Sequence, residues 1–232
     1  LADGKAQAII VNSGNANTCN ADGVEKAMQM CKIAARQCAV LPSNVIVAST
    51  GVIGMPLDVT PIEKSIGQLY WDLEHSVAGS RNAAEAIMTT DTTIKEVAVE
   101  FELGGKVCRM GGIAKGSGMI PPNLATMLIF ITSDVAISSE MLQKALKADV
   151  NKTFNMIRVD GDTSTNDTVV LLANGLAENP VIEYGTEDYK VFAEALHVIN
   201  EYLAKKIAGD GEGCTALFEV QAVGCESIAQ AK

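Results

Sequence analysis

The chain has 232 residues, of which 48% are hydrophobic, and a mean hydropathy of +0.19. That is enough for one large domain or two small ones around a substantial core, and it excludes a disordered chain. With 18 basic against 28 acidic residues the net charge is −10, which excludes nucleic-acid or anionic-lipid binding through bulk electrostatics, and no apolar run is long enough to span a bilayer. The start, Leu1-Ala2-Asp3-Gly4, has neither Met nor a signal-peptide pattern and reads as a chain that begins mid-protein. The cysteines (Cys19, Cys31, Cys38, Cys108, Cys214 and Cys225) are scattered without a C-x-x-C pair. They read as reduced thiols in a cytosol-like compartment, not as a zinc ribbon or redox motif.

In chain order, Ala6 to Val11 is a short apolar run that predicts a buried strand. Residues 22–39 carry Val24, Ala27, Met28, Cys31, Ala34, Ala35 and Cys38 at helical spacing, with Asp22 as a candidate cap. Val45 to Ala48 predicts a second buried strand, running into Ser49-Thr50-Gly51. Thr60-Pro61-Ile62-Glu63 matches a capping box with Pro at the first helical position, opening a helix to about Leu73. A helix is expected through Arg81 to Met88. Val97 to Leu103 and Lys106 to Met110 alternate apolar and polar residues, and Gly104-Gly105 between them predicts a two-residue hairpin turn. Met127 to Ile131 predicts a central strand, residues 139–149 a helix capped by Ser138 or Ser139, and Thr168 to Ala173 another buried strand. The longest helix is expected over 187–208, with Val191, Phe192, Ala195, Leu196, Ile199, Leu203 and Ile207 on one face and Gly209 as its stop. Leu217 to Val223 predicts a final strand.

Strands and helices thus mix throughout, with polar, glycine-containing loops at the strand ends: Asn12 to Asn20, Ser49 to Gly54, Gly111 to Thr126, Val159 to Asp167 and Asp210 to Thr215. None contains a histidine. His75 and His197 fall in predicted helices, which argues against a Ser-His-Asp or Cys-His centre. A covalent mechanism would then need a lysine or an N-terminal amine as base, and an α-amine titrates at roughly 7.7–8.0 without any special environment. The Asp160-x-Asp162-x-Ser164-x-Asn166 spacing imitates the start of a calcium loop, but Thr165 replaces the required Gly and Leu171 the required Glu. Gly112 to Gly118 hints at a phosphate loop without Walker spacing; taken alone it reads as a bending, lysine-bearing turn.

Six segments in one order are more specific: Ser49-Thr50-Gly51-Val52-Ile53-Gly54, Thr89-Thr90-Asp91-Thr92, Ala114 to Ile120 (AKGSGMI), Pro122 to Leu128 (PNLATML), Val159 to Asp167 (VDGDTSTND) and Asp210-Gly211-Glu212-Gly213. Together, over essentially the whole chain, they resemble the ornithine acetyltransferase family, also called glutamate N-acetyltransferase, the bifunctional arginine-biosynthesis proteins. The resemblance implies an α/β fold: a layered αββα-type sandwich, helices outside two central sheets, of the self-processing N-terminal-nucleophile type. It implies that residues 1–232 are the central part of the family's domain, with 1–125 ending the α-chain part and 126–232 starting the β-chain part. The precursor would cut itself between Ala125 and Thr126. The freed Thr126 would take acetyl from N-acetylornithine and pass it to glutamate, and some members also accept acetyl-CoA. Matched residue by residue, Thr126 is the nucleophile, Thr50 and Gly51 the oxyanion-stabilising pair, and Thr89, Lys115, Thr126 and Glu212 the substrate contacts, with Thr90 an alternative to Thr89. The resemblance implies no cofactor and no metal, α and β chains of one precursor in a higher oligomer, no nucleic-acid or membrane partner, and a cytoplasmic setting or, in a eukaryote, the mitochondrial matrix.

The physical chemistry agrees: a hydroxyl and a backbone N–H at a strand end suit a tetrahedral oxyanion, and Glu212 and Lys115 suit a substrate ammonium and carboxylate. Departures from the family pattern are Pro121 before Pro122, Leu124 for the usual Met, and Cys214 and Ala216 for the usual Ala and Lys. The alternatives are a self-processing aminopeptidase or amidohydrolase using the same Thr126, and a catalytically incomplete fragment.

Overall fold

The computed structural model describes residues 1, 3–119, 127–162, 164–227 and 230. Strand β1 (Ala8–Asn12) is joined through helix α1 (Gly23–Cys38) to strand β2 (Val45–Ser49), and the two strands pair in parallel from Ala8↔Val45 to Asn12↔Ser49. Helices α2 (Thr60–Trp71) and α3 (Val77–Ala86) follow. Next come β3 (Lys95–Leu103), β4 (Lys106–Lys115), β5 (Leu128–Ser133), helix α4 (Ser139–Val150), β6 (Thr168–Ala173) and helix α5 (Glu187–Gly209). The second sheet runs in the order β3-β4-β5-β6, antiparallel except for the parallel β5–β6 pair that α4 connects.

The two-residue period of the strands sorts their side chains into layers. On β1 and β2, Ala8, Ile10, Val45 and Val47 pack against Met30, Cys31, Ala34 and Ala35 of α1 and Ile62 and Ile66 of α2. The opposite faces, with Ile9, Val11 and Ala48, meet Ile113, Leu128, Phe130 and Val170 of the second sheet. The alternate residues of that sheet, among them Cys108, Met110, Ile129, Ile131 and Leu171, lie under Phe192, Leu196, Ile199, Leu203 and Ile207 of α5. The result is an αββα sandwich, as expected. Its main core is the α5 seam, where each fully buried Leu, Ile or Phe side chain contributes roughly 1.5–3 kcal/mol.

Most predicted elements are present with ends shifted by one or two residues. The turn at Gly104-Gly105 has positive φ at both positions, 55° and 76°, the geometry that two-residue hairpins favour. Ser138, not Ser139, caps α4 by accepting from Met141 N–H. Several expectations fail for identifiable reasons. Asp22 holds the N-cap position of α1 but makes no side-chain cap bond; its carboxylate lies 3.8 Å from Lys26 Nζ instead. The capping box at Thr60 does not form, because Thr60 is already helical, and its N–H is taken by the Asp58 carboxylate at 2.9 Å. The third helix begins earlier than Arg81, since Ser76 accepts from Gly79 N–H and starts it at Val77. Gly111 to Lys115, expected as loop, is the last half of β4, paired with β3 as far as Ala114 and with β5 as far as Lys115. Leu217 to Val223 forms no strand: its residues are exposed and pair with no sheet edge among the described residues. His75 lies in the bend between α2 and α3 and not in a helix.

Candidate functional site

The registers bring the polar loops to one end of the stacked sheets. β1 and β2 end there, at Asn12 and Ser49; so does β4, at Lys115; and β3, β5 and β6 begin there. Cross-links between loops fix the arrangement. Asn15 and Val52 form a parallel bridge. Thr18 Oγ1 lies 2.7 Å from Thr165 Oγ1 and donates to Asn166 Oδ1 at 2.7 Å, while Asn166 Nδ2 donates to Asn17 Oδ1 at 2.7 Å. Glu212 N–H donates to the Ser117 carbonyl at 2.7 Å.

Thr50 is 1% exposed, and its N–H donates to the Asn12 carbonyl at 2.8 Å. Gly51 has φ +122°, and a Cβ there would lie 2.4 Å from the Gly14 carbonyl carbon. Only glycine satisfies both the conformation and the approach of the neighbouring loop. Ser49 beneath is tied to Asn12 and Asn15, so the strand end is held from the side. Ala48, two residues before Thr50, packs on Leu128 at the start of β5. Ala125 and Thr126 themselves lie outside the described residues.

Lys115 is 2% exposed and has the same strand parity as Ile113, which faces the first sheet. Its Cα partner on β5 is Leu128, which in turn pairs with Thr168 on β6. Among the described residues its ammonium has no hydrogen bond and no ion pair. Burial pushes its ammonium below the ordinary lysine range, against the partial compensation of Asp91, Asp167 and Glu212. Asp167 sits across β5 from it. One carboxylate oxygen accepts from Met127 N–H at 2.8 Å; the other is buried and has no hydrogen-bond partner among the described residues. Burial pushes this carboxyl up to about 7, with the Met127 N–H, Lys115 and Ser164 pulling the other way.

Thr89 is exposed, with its N–H on Asp91 Oδ2 at 3.1 Å. The Thr90 hydroxyl is engaged with Ser117 Oγ at 2.6 Å, whereas the Thr89 hydroxyl has no partner among the described residues. Glu212 is exposed, its carboxylate against Gly118: a Cβ at Gly118 would meet it at 2.6 Å. Thr50, Gly51, Thr89, Lys115 and Glu212 are therefore gathered at one end, the end at which β5 begins at Leu128. His197 is elsewhere, with Nδ1 2.7 Å from Asp149 Oδ1 between α5 and α4. Asp91, Lys95, Ser117, Asp167 and Asp210 were not singled out as site residues from sequence. One signal was available: Lys95 shares its strand parity with Val97, Val99 and Phe101, a lysine in a core-facing register.

These layers and this loop-built polar end define a four-layer α/β sandwich whose two sheets share one candidate site. The ArgJ family model matches residues 1–232, and the chain belongs to the ArgJ family. It is 50% identical over 229 residues to the arginine biosynthesis bifunctional protein ArgJ of Listeria monocytogenes, covering 98% of this chain and 56% of that protein. The ArgJ protein of Caldanaerobacter subterraneus is 49% identical over 225 residues, covering 97% and 55%. The chain thus spans about half the length of the curated relatives it matches. Among solved structures, ArgJ from Bacillus halodurans is 38% identical at a TM-score of 0.46, covering 52% of this chain and 61% of that one. An ornithine acetyltransferase from Mycobacterium tuberculosis, complexed with ornithine, is 26% identical at a TM-score of 0.42, covering 52% and 62%.

Proposed function

We propose that this chain is the central part of a self-cleaving acetyltransferase that moves acetyl from N-acetylornithine to glutamate, with residues 1–125 and 126–232 belonging to its α and β parts. The observation that carries the reading is the gathering of Thr50, Gly51, Thr89, Lys115 and Glu212 at the end of the sandwich where β5 begins, two positions after 126 in the sequence. In this reading the freed Thr126 hydroxyl attacks the acetyl carbonyl and gives its proton to its own α-amine, so no histidine is needed. The Thr50 hydroxyl and Gly51 N–H stabilise the tetrahedral oxyanion. The C–N bond then breaks, the departing amine takes the proton, and the acetyl-threonine ester is aminolysed by glutamate. The buried Lys115 pairs with a substrate carboxylate and Glu212 with its ammonium. Thr89, whose hydroxyl has no partner among the described residues, is the better substrate contact than Thr90. Asp167 holds the peptide N–H that follows Thr126 and so fixes the backbone on the downstream side of the nucleophile. Acetyl-CoA as a second donor, a higher oligomer of α and β chains, and a cytoplasmic setting belong to the same proposal.

Mass spectrometry of the full-length protein tests it. Two pieces are expected, the second beginning Thr-Met-Leu, and Thr126→Ala should remain one chain. In the cleaved enzyme Thr50→Ala should lower kcat by ~10²-fold with a smaller effect on KM, because its bond matters most in the transition state. An N-terminus elsewhere, or an unchanged kcat, refutes the assignment.

A further inference from the structure

The least ordinary buried group of the described residues is Lys95. Its Nζ lies 2.6 Å from Asp91 Oδ1 and 2.6 Å from Asp210 Oδ2, and all three side chains are at least nine-tenths buried, at 0%, 0% and 8% exposure. Each carboxylate carries further bonds outward. Asp91 accepts from Gly116 N–H at 2.7 Å and Thr89 N–H at 3.1 Å. Asp210 accepts from the Thr92 hydroxyl, from Thr92 N–H at 3.0 Å and from Thr93 N–H at 3.4 Å. The cluster therefore ties together the loop before β3, the end of β4 and the end of α5. On those segments stand Thr89 itself, Lys115 beside Gly116, and Glu212 two residues beyond Asp210.

We propose that Asp91, Lys95 and Asp210 act as one positioning unit that sets the spacing of Thr89, Lys115 and Glu212, and through that spacing the affinity for the amino-acid substrate. This rests on the reading of those three residues as the substrate contacts. Stability alone is a poor reason for the cluster, since a buried ion pair is commonly matched or bettered by apolar residues of the same volume. What apolar packing cannot do is fix direction: the carboxylates bind named N–H groups on separate segments. Desolvation opposes ionisation of Asp91 and of Asp210, but the donors outweigh it and hold both below the usual carboxylate range, so both carboxylates stay ionised at neutral pH. A second tie runs parallel to it, from Glu212 N–H to the Ser117 carbonyl and from Ser117 Oγ to Thr90 Oγ1. Ser117 therefore holds the register locally, while the ion cluster holds the three segments to the core.

The test uses the full-length, cleaved enzyme and the KM for the acetylated amino-acid donor. Asp210→Ala cuts the link to α5 and should raise KM ~10-fold or more with kcat changed far less, the pattern of lost ground-state binding. Asp210→Asn, whose one amide oxygen can still accept from the Thr92 and Thr93 N–H groups, should restore KM to within ~3-fold of wild type. Thr92→Val removes only the hydroxyl arm and leaves both ion pairs intact, so it reports even where Asp210→Ala does not fold; ~3-fold in KM is expected. A merely structural cluster would lower the melting temperature and leave KM unmoved below it. An unmoved KM in the folded Asp210→Ala enzyme, or in Thr92→Val, overturns the proposal. A wild-type enzyme that neither cleaves nor transfers acetyl would instead overturn the functional reading on which it rests.

Discussion

Replacing Asp167 by Asn removes one ionisable group and keeps its shape and its acceptor for Met127 N–H, so the difference between the two proteins isolates the cost of the charge. The carboxyl stands at about 7 in the folded protein against an ordinary 3.8. At ~1.4 kcal/mol per tenfold change in proton affinity, that corresponds to ~4 kcal/mol favouring the protonated form, with ~2–4 kcal/mol expected after local relaxation. The sign follows from the raised value. Below about pH 4 both folded and unfolded states carry the proton, and the wild type has its full stability relative to Asp167→Asn. As pH rises toward 7 the unfolded chain ionises first, and the wild type loses stability until the folded carboxyl also ionises; above that the loss is constant. Urea unfolding of the full-length protein, both forms carrying Thr126→Ala so that each is a single chain, measures this directly. The stability difference between Asp167→Asn and the parent should grow in favour of Asn by ~2–4 kcal/mol between pH 4.5 and 8. A difference independent of pH would refute the assignment of Asp167 as a desolvated carboxyl. Lys115→Met should raise the Asp167 value further, readable from carboxyl carbon shifts, because the nearby cation now lowers it.

Gly51→Ala should destabilise the full-length protein by ~2–3 kcal/mol in denaturant unfolding, because the φ of +122° is strained for alanine and its Cβ meets the Gly14 backbone at 2.4 Å. It should also lower kcat, and normal stability would show that the loop yields more easily than the contacts indicate. His75→Gln with His197→Gln should leave turnover close to wild type, with at most ~1–2 kcal/mol lost where His197 meets Asp149, since Asn200 still bonds that carboxylate at 2.7 Å. A folded, cleaved but inactive double variant would require a histidine base.

What the sequence determined by itself was whatever depends on neighbours along the chain. The 3.6-residue apolar stripe of α5, a serine cap for α4 at Ser138 or Ser139, the Gly104-Gly105 turn and the apolar run of β6 were all legible, because each is decided within a few residues. The site residues Thr50, Gly51, Thr89, Lys115 and Glu212 were reached through the family resemblance of their motifs, since isolated threonines and loop charges carry little local signal. Only the tertiary structure decided how these residues meet. Gly111 to Lys115 reads as loop by its glycines but becomes strand because β3 and β5 supply ladders on both sides. Leu217 to Val223 has apolar content yet forms no strand, having no edge to pair with among the described residues. Lys95 is a tolerable buried side chain because the Thr93 carbonyl and the Asp91 carboxylate nearby are joined by Asp210, 115 positions away. The raised Asp167 carboxyl likewise follows from burial, a property of the packed sheets that no local spacing encodes.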